Sequence, residues 1–141
     1  MDRRFLGDTL WYPRTEETLK HRSMLNDFSV IQDFEPWVWD RHDLARNYIE
    51  DYLCEGDILV THVPVTPKII HPKYKGDALN CYFHVDMEDL VFSRWPAVCI
   101  AGHSHEGYDF TIGKTRFVGN PFGYLGEQKS TKYIEKLVIE V

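Results

Sequence analysis

Asp57-Ile-Leu-Val-Thr-His62 is a short apolar run set between turn signals, with Gly56 before it and a segment from Val63 to Gly76 after it that holds three prolines. A continuous apolar run of this length, bounded in this way, predicts a strand buried on both faces. Ala97-Val-Cys-Ile-Ala101 is a second run of the same kind. Between them, Asp86 to Trp95 predicts a short helix that Pro96 stops, since proline cannot continue it. Strand, helix, strand is the signature of α/β layering. Downstream, Tyr108–Ile112 and Thr115–Val118 predict a hairpin turning at Gly113-Lys114, so the sheet is expected to be mixed. Lys132 to Val141 alternates and predicts a last strand.

Upstream, Arg4-Phe-Leu-Gly-Asp-Thr-Leu-Trp11 predicts an opening strand, ended by Pro13. Thr15 is placed to cap a helix whose first turn carries Glu16 and Glu17. Met24 to Phe34 shows no decisive pattern. Asp40 to Leu53 predicts a helix opened by Asp40, with Leu44, Tyr48, Ile49 and Leu53 on its apolar face and Gly56 as its stop. There is no repeat, low-complexity tract or linker, so residues 1–141 are expected to form a single unit.

The composition excludes several classes. With 141 residues, 43% of them hydrophobic and 27% charged, the chain can bury a core and is not a disordered segment. A formal charge of -6 argues against a mainly electrostatic nucleic-acid binder. The apolar runs are too short to span a bilayer, and Met1-Asp-Arg-Arg leads into no signal-peptide core. Three cysteines at irregular spacing, Cys54, Cys81 and Cys99, fit a reducing compartment better than a disulfide framework, so the expected location is cytoplasmic. The length is short for an enzyme with a many-ligand site.

Chemistry is expected where the histidines fall. Of seven, His62 ends one apolar run, and His103 and His105 follow directly on the other. Sites in α/β sheets gather at the carboxyl ends of strands. If the two strands are parallel neighbours, all three imidazoles reach one rim, with Gly102 allowing a tight bend there. Imidazole is a common ligand of zinc, iron, manganese and nickel, so the cluster suggests metal. The plainer alternative is a strand-end residue at His62 and a polar turn at His103-Ser-His105.

These segments carry a resemblance. Asp57-Ile-Leu-Val-Thr-His-Val-Pro64, Ala101-Gly-His-Ser-His105 and Val118-Gly-Asn-Pro-Phe-Gly-Tyr124, spaced as they are, resemble the C-terminal half of the calcineurin-like metallophosphoesterases. Phe5-Leu-Gly-Asp-Thr-Leu-Trp11 resembles the strand before the helical insert of bacterial and phage members, so the likeness spans Arg4 to Glu127. It implies the C-terminal half of a four-layer αββα sandwich, a mixed sheet with flanking helices, and a single partial domain over residues 1–141. It also implies a phosphoester hydrolase whose water is activated by a two-metal centre. By motif position His62 and His103 would bind one ion and His105 the other, the ions being Mn, Fe, Zn or Ni. The family's site further needs an Asp-x-His, a Gly-Asp and a Gly-Asn-His from its N-terminal half, the last bearing the catalytic imidazole. They do not precede Arg4, so no residue here takes the catalytic role and the chain alone is expected to be inactive.

Literal matches elsewhere stand in the wrong context. Asp40-Arg-His42 opens a helix. Gly56-Asp57 begins the strand that His62 ends, about 20 Å from its far end. Gly119-Asn120 is followed by Pro121. Around the cluster, Asn80, Tyr82 and Phe83 are expected to cap and pack, although substrate contact is the alternative. Glu106 and Asp109 are either acceptors for an imidazole N–H or solvated turn residues. Trp11, Trp37, Trp39 and Trp95 are expected to pack. Lys68, Lys73 and Lys75 either meet phosphate or are surface charge.

The expected partners are a phosphoester substrate, nucleic acid only as such a substrate, and a separate N-terminal half or a second copy meeting an exposed apolar sheet face; no membrane is expected. Competing readings are a non-catalytic, partner-binding remnant with at most one ion and a mononuclear hydrolase with all three imidazoles on one ion.

Overall fold

The structure, a computed structural model, describes residues 3–141. The two apolar runs form parallel neighbours: β2 (Ile58–Thr61) and β3 (Val98–Ala101) pair with Ile58 opposite Val98 and Thr61 opposite Ala101. β1 (Phe5–Asp8) adds in parallel to the other side of β2. β5 (Thr115–Gly119) adds in parallel to β3, and β4 (Tyr108–Ile112) closes the sheet as its antiparallel edge. The result is an α/β fold with one five-stranded mixed sheet, ordered β1-β2-β3-β5-β4, and flanking helices.

The opening strand stops at Asp8 instead of reaching Trp11, because Leu10 and Trp11 turn into left-handed backbone at φ 68° and 34°. Thr15 caps α1 (Glu16–His21) through a reciprocal box with Thr18. The undecided stretch becomes a 3₁₀ turn at Arg22–Met24 and a single helical turn, α2 (Asp27–Val30). α3 (Phe34–Tyr52) begins well before Asp40, which therefore sits inside the helix and does not cap it. Its buried face differs in part from expectation: Ile49 and Leu53 are buried as expected, but Leu44 and Tyr48 are not. Val38, His42, Ala45 and Ile49 point inward, while Leu44 and Tyr48 are 58% and 42% exposed. The helix starts a turn and a half earlier than its charge pattern suggests, and the aromatic-rich Phe34-Glu-Pro-Trp-Val-Trp39 turn anchors a rotated face on the sheet.

After the proline-rich loop come a short α4 (Asn80–Phe83) and α5 (Glu88–Arg94), which Pro96 follows as expected. Leu6, Leu59, Cys99 and Phe117 share one sheet face and pack with Ala45, Ile49, Leu53 and Val91 of the helical layer. On the opposite face Ile58, Val98 and Val118 form a smaller cluster that Leu137 and Ile139 partly cover. The predicted last strand is absent: residues 132–141 pair with no edge. Their alternation is satisfied by laying Leu137 and Ile139 on the sheet face, with Val138 turned out. Towards β1 this face is open, with Phe5 68% and Val60 37% exposed. One sheet is present among the described residues. No helix among them is long and apolar enough to cross a membrane.

Asp57 enters β2 buried, accepting from Arg4 Nε at 3.1 Å, Arg4 Nη2 at 2.6 Å and the Cys54 amide at 2.8 Å. The Arg4 guanidinium holds its carboxyl below the usual carboxylate range. Burial pushes the His84 imidazole down, and its Nδ1 is enclosed without a hydrogen-bond partner. Both shifts have one sign. The folded state resists a proton that the unfolded chain accepts, so stability is full above the unfolded pKa and is lost as pH falls through the folded one. Denaturant midpoints are therefore expected to fall steadily below about pH 6.5, where His84 begins to count, and further in the carboxylate range. A midpoint that rises between about pH 6.5 and 5 would contradict this.

Candidate functional site

Because β1, β2, β3 and β5 all run parallel, their carboxyl ends share one rim. The segments leaving them line a cleft of about 670 Å³. β1 contributes Trp11 and Tyr12, β2 contributes His62, β3 contributes His103, Ser104 and His105, and the loop after β5 contributes Tyr124 and Glu127. This is the place where chemistry is expected in a parallel sheet.

His62 and His103 stand together, with ring centroids 5.0 Å apart and planes at 63°. Gly102 packs against His62, but a Cβ there would make only ordinary contact at 3.4 Å from His62 Nδ1, so the approach does not require glycine. The Gly102 amide donates to the His62 carbonyl at 3.1 Å, just beyond the β2–β3 pairing. His103 itself adopts φ 59°, left-handed backbone that costs a non-glycine residue about 1–3 kcal/mol and is typical of functional positions. Its ring is wedged between Phe83, stacked at 4.9 Å, and Tyr12 at 5.9 Å. His103 Nε2 lies 3.0 Å from the Tyr82 carbonyl. A carbonyl only accepts, so Nε2 carries the proton and Nδ1 keeps its lone pair. Burial, with His62 nearby, pushes His103 down to about 4, and burial lowers His62 as well. Both rings are thus neutral near pH 7.

His105 is held apart from the pair. Its Nδ1 lies 2.9 Å from Glu127 Oε2, and its ring meets Tyr124 edge-on at 4.7 Å. Of the three predicted residues, two are brought into contact and the third lines the same cleft with a different partner.

The fit to a metal is therefore partial. Two neutral imidazoles, one with its second nitrogen fixed by a backbone carbonyl, suit a divalent ion. Among the described residues, however, no group of three His, Cys, Asp or Glu side chains is placed to hold one. A two-metal centre does not fit the residues of this chain by themselves.

Two carboxylates in the cleft escaped sequence reasoning. Asp27 accepts from the buried Tyr12 hydroxyl at 2.7 Å and favours the protonated forms of His62 and His103 through its charge. It comes from the stretch without a pattern. Glu127 follows the turn signal Tyr124-Leu-Gly126, a local cue that could have marked it. The acceptors named in advance do other work. Glu106 is bound by Lys73 at 3.3 Å and Lys132 at 3.4 Å, and Asp109 by Arg116 at 2.7 Å. Lys68 pairs with Glu88. Asn80 lines the cleft and donates to the Tyr74 carbonyl at 2.7 Å, and the Tyr82 hydroxyl is buried against the Thr18 carbonyl. His42 is buried with Nδ1 2.8 Å from the Leu10 carbonyl, far from any ligating role. Trp39 is buried, whereas Trp37 is 45% exposed.

No protein-family model matches the chain, and no curated protein matches it. Its fold is similar to the crystal structure of phosphopantetheinyl hydrolase (PptH) from Mycobacterium tuberculosis, with a TM-score of 0.65 and 16% identity. The match covers 91% of this chain and 52% of that one, so the chain spans about half the length of that structure. These findings overturn the calcineurin-like assignment implied by the motifs: no model of such a family matches, and the similar structure is a phosphopantetheinyl hydrolase. The short motifs Thr-His-Val-Pro and Gly-His-Ser-His are too brief to carry a family by themselves.

Proposed function

We propose that the cleft is one half of a metal-dependent phosphoester hydrolase site, in which His62 and His103 hold a divalent ion and a complementary segment supplies the remaining ligands. The observation that carries this reading is the pair of neutral, adjoining imidazoles at the carboxyl rim of parallel strands. The likeness in fold to a phosphopantetheinyl hydrolase, of which the match covers 52%, lends support. The finer architecture belongs to the same proposal. A second sheet covering Phe5 and Val60 would complete a four-layer αββα sandwich and bring its loops to the rim.

An ion held by these residues would supply Lewis acidity and would lower the pKa of its bound water towards neutrality. The chain's own residues do the rest. The Tyr82 carbonyl keeps the His103 proton on Nε2, so that Nδ1 is the free donor nitrogen. Phe83 and Tyr12 fix the ring and exclude water from its faces. Lys73 and Lys132 offset Glu106 at the mouth, so this carboxylate does not repel an entering phosphoester anion.

The test is a titration with phenylphosphonate, a non-hydrolysable mimic, in the presence and absence of Zn²⁺. Ion-dependent NMR shifts at His103 and Phe83 are expected. Binding that is equal without the ion, or absent with it, overturns the reading. A second reading, a partner-binding subunit with at most one ion, is favoured by the open sheet face around Phe5 and Val60. It predicts concentration-dependent association with no response to the phosphonate.

A further inference from the structure

The loop after β5 contains the Asn120-Pro-Phe-Gly-Tyr124 segment, and its geometry has one focus. Tyr124-Leu-Gly-Glu127 is a turn closed by the Glu127 amide donating to the Tyr124 carbonyl at 3.0 Å, with Gly126 at φ 94° in the position that requires left-handed backbone. The Glu127 side chain folds back across this turn. Its Oε2 accepts from the Tyr124 amide at 2.8 Å and lies 2.9 Å from His105 Nδ1. One carboxylate oxygen is thus tied to the turn that presents it and to the imidazole. Tyr124 completes the arrangement by meeting the His105 ring edge-on at 4.7 Å. Gly123, at φ 72°, clears the space: a Cβ there would stand 2.8 Å from Glu127 Oε2.

A carboxylate accepts and does not donate, so neutral His105 carries its proton on Nδ1. Nε2, which makes no hydrogen bond among the described residues, keeps the lone pair. The opposite nitrogen is free on His103, where the Tyr82 carbonyl holds Nε2. The two imidazoles of Gly102-His-Ser-His105 are therefore set in opposite tautomers by two different partners.

We propose that Glu127 is a positioning residue that fixes His105 in the Nδ1–H tautomer and makes Nε2 its working nitrogen towards the cleft. The β5 loop segment serves to deliver that carboxylate, not to touch substrate. The significance of a working Nε2 rests on the hydrolase reading above; the tautomer itself does not.

The experiment is long-range ¹H–¹⁵N imidazole spectroscopy of the labelled chain at about pH 8, above the ordinary histidine range. The native chain is expected to show a protonated Nδ1 and a bare Nε2 at His105. Glu127→Gln should keep this pattern, because the amide oxygen still accepts from Nδ1–H. Glu127→Ala should move most of the population to the Nε2–H form. Gly123→Ala should shift it the same way, with Glu127 still present, by displacing the carboxylate. His103 should remain Nε2–H in all of them. The proposal is overturned if Glu127→Ala leaves the His105 tautomer unchanged, or if it disturbs His103 as much as His105, since a merely structural role would do that. No ion or phosphonate enters this measurement, so loss of the hydrolase reading and loss of this proposal are separate results.

Discussion

Phe117→Ala is expected to destabilise the chain by about 3–5 kcal/mol, read as a lower denaturant midpoint at unchanged slope. Phe117 is 2% exposed in β5, on the sheet face that meets the helices. It stacks on Phe110 at 5.3 Å across the hairpin and meets Phe92 of α5 edge-on at 6.5 Å. Removing the ring opens a cavity between sheet and helical layer that backbone pairing prevents from collapsing. A domain of this size is stable by only about 5–15 kcal/mol, so the variant will be close to unfolding at 37 °C. The matched control is Leu44→Ala. Leu44 belongs to the expected apolar stripe of α3 yet is 58% exposed, and its loss should change stability by no more than about 0.5 kcal/mol. Equal effects from the two substitutions would refute the placement of α3 on the sheet.

That contrast also measures what could be read from the sequence. The two buried strands were legible because an apolar run with turn signals at both ends has few other uses, and the imidazoles at their ends followed from strand direction. The hairpin and the Thr15 cap were legible for the same local reasons. The rotation of α3 was not. Its face is set by Phe34, Val38 and Trp39, which precede the charge-patterned segment, and helical spacing from Asp40 onward also fits the stripe through Leu44 and Tyr48. Residues 132–141 alternate as an edge strand would, but alternation equally suits a segment laid across a sheet, and periodicity does not distinguish the two. In the cleft, His62 and His103 were anticipated as a pair. Asp27 and Glu127 were not: Asp27 lies in α2, in a stretch without a decisive pattern, and Glu127 is marked only by the local turn signal before it.

The pairing of His62 with His103 leads to the second large effect. Each imidazole is held neutral by burial, and His103 is at about 4, so neither must lose a proton to bind an ion near pH 7. If both adjoining rings ligate, removal of either leaves a single donor, and Zn²⁺ affinity should fall at least about tenfold in His62→Ala or His103→Ala. The double variant should add little to either single one, because ligands of one ion act as a unit. His105→Ala should weaken binding less than about threefold, since His105 is bound to Glu127 and lies outside the pair. Calorimetry on the chain measures all four. A His105→Ala loss as large as that of His103→Ala would mean that all three rings converge on one ion. That result would replace the pair with a mononuclear three-histidine centre, the arrangement that leaves catalytic zinc a fourth position for water. The contacts of the rings argue against it: His62 and His103 meet one another, whereas His105 meets Tyr124 and Glu127.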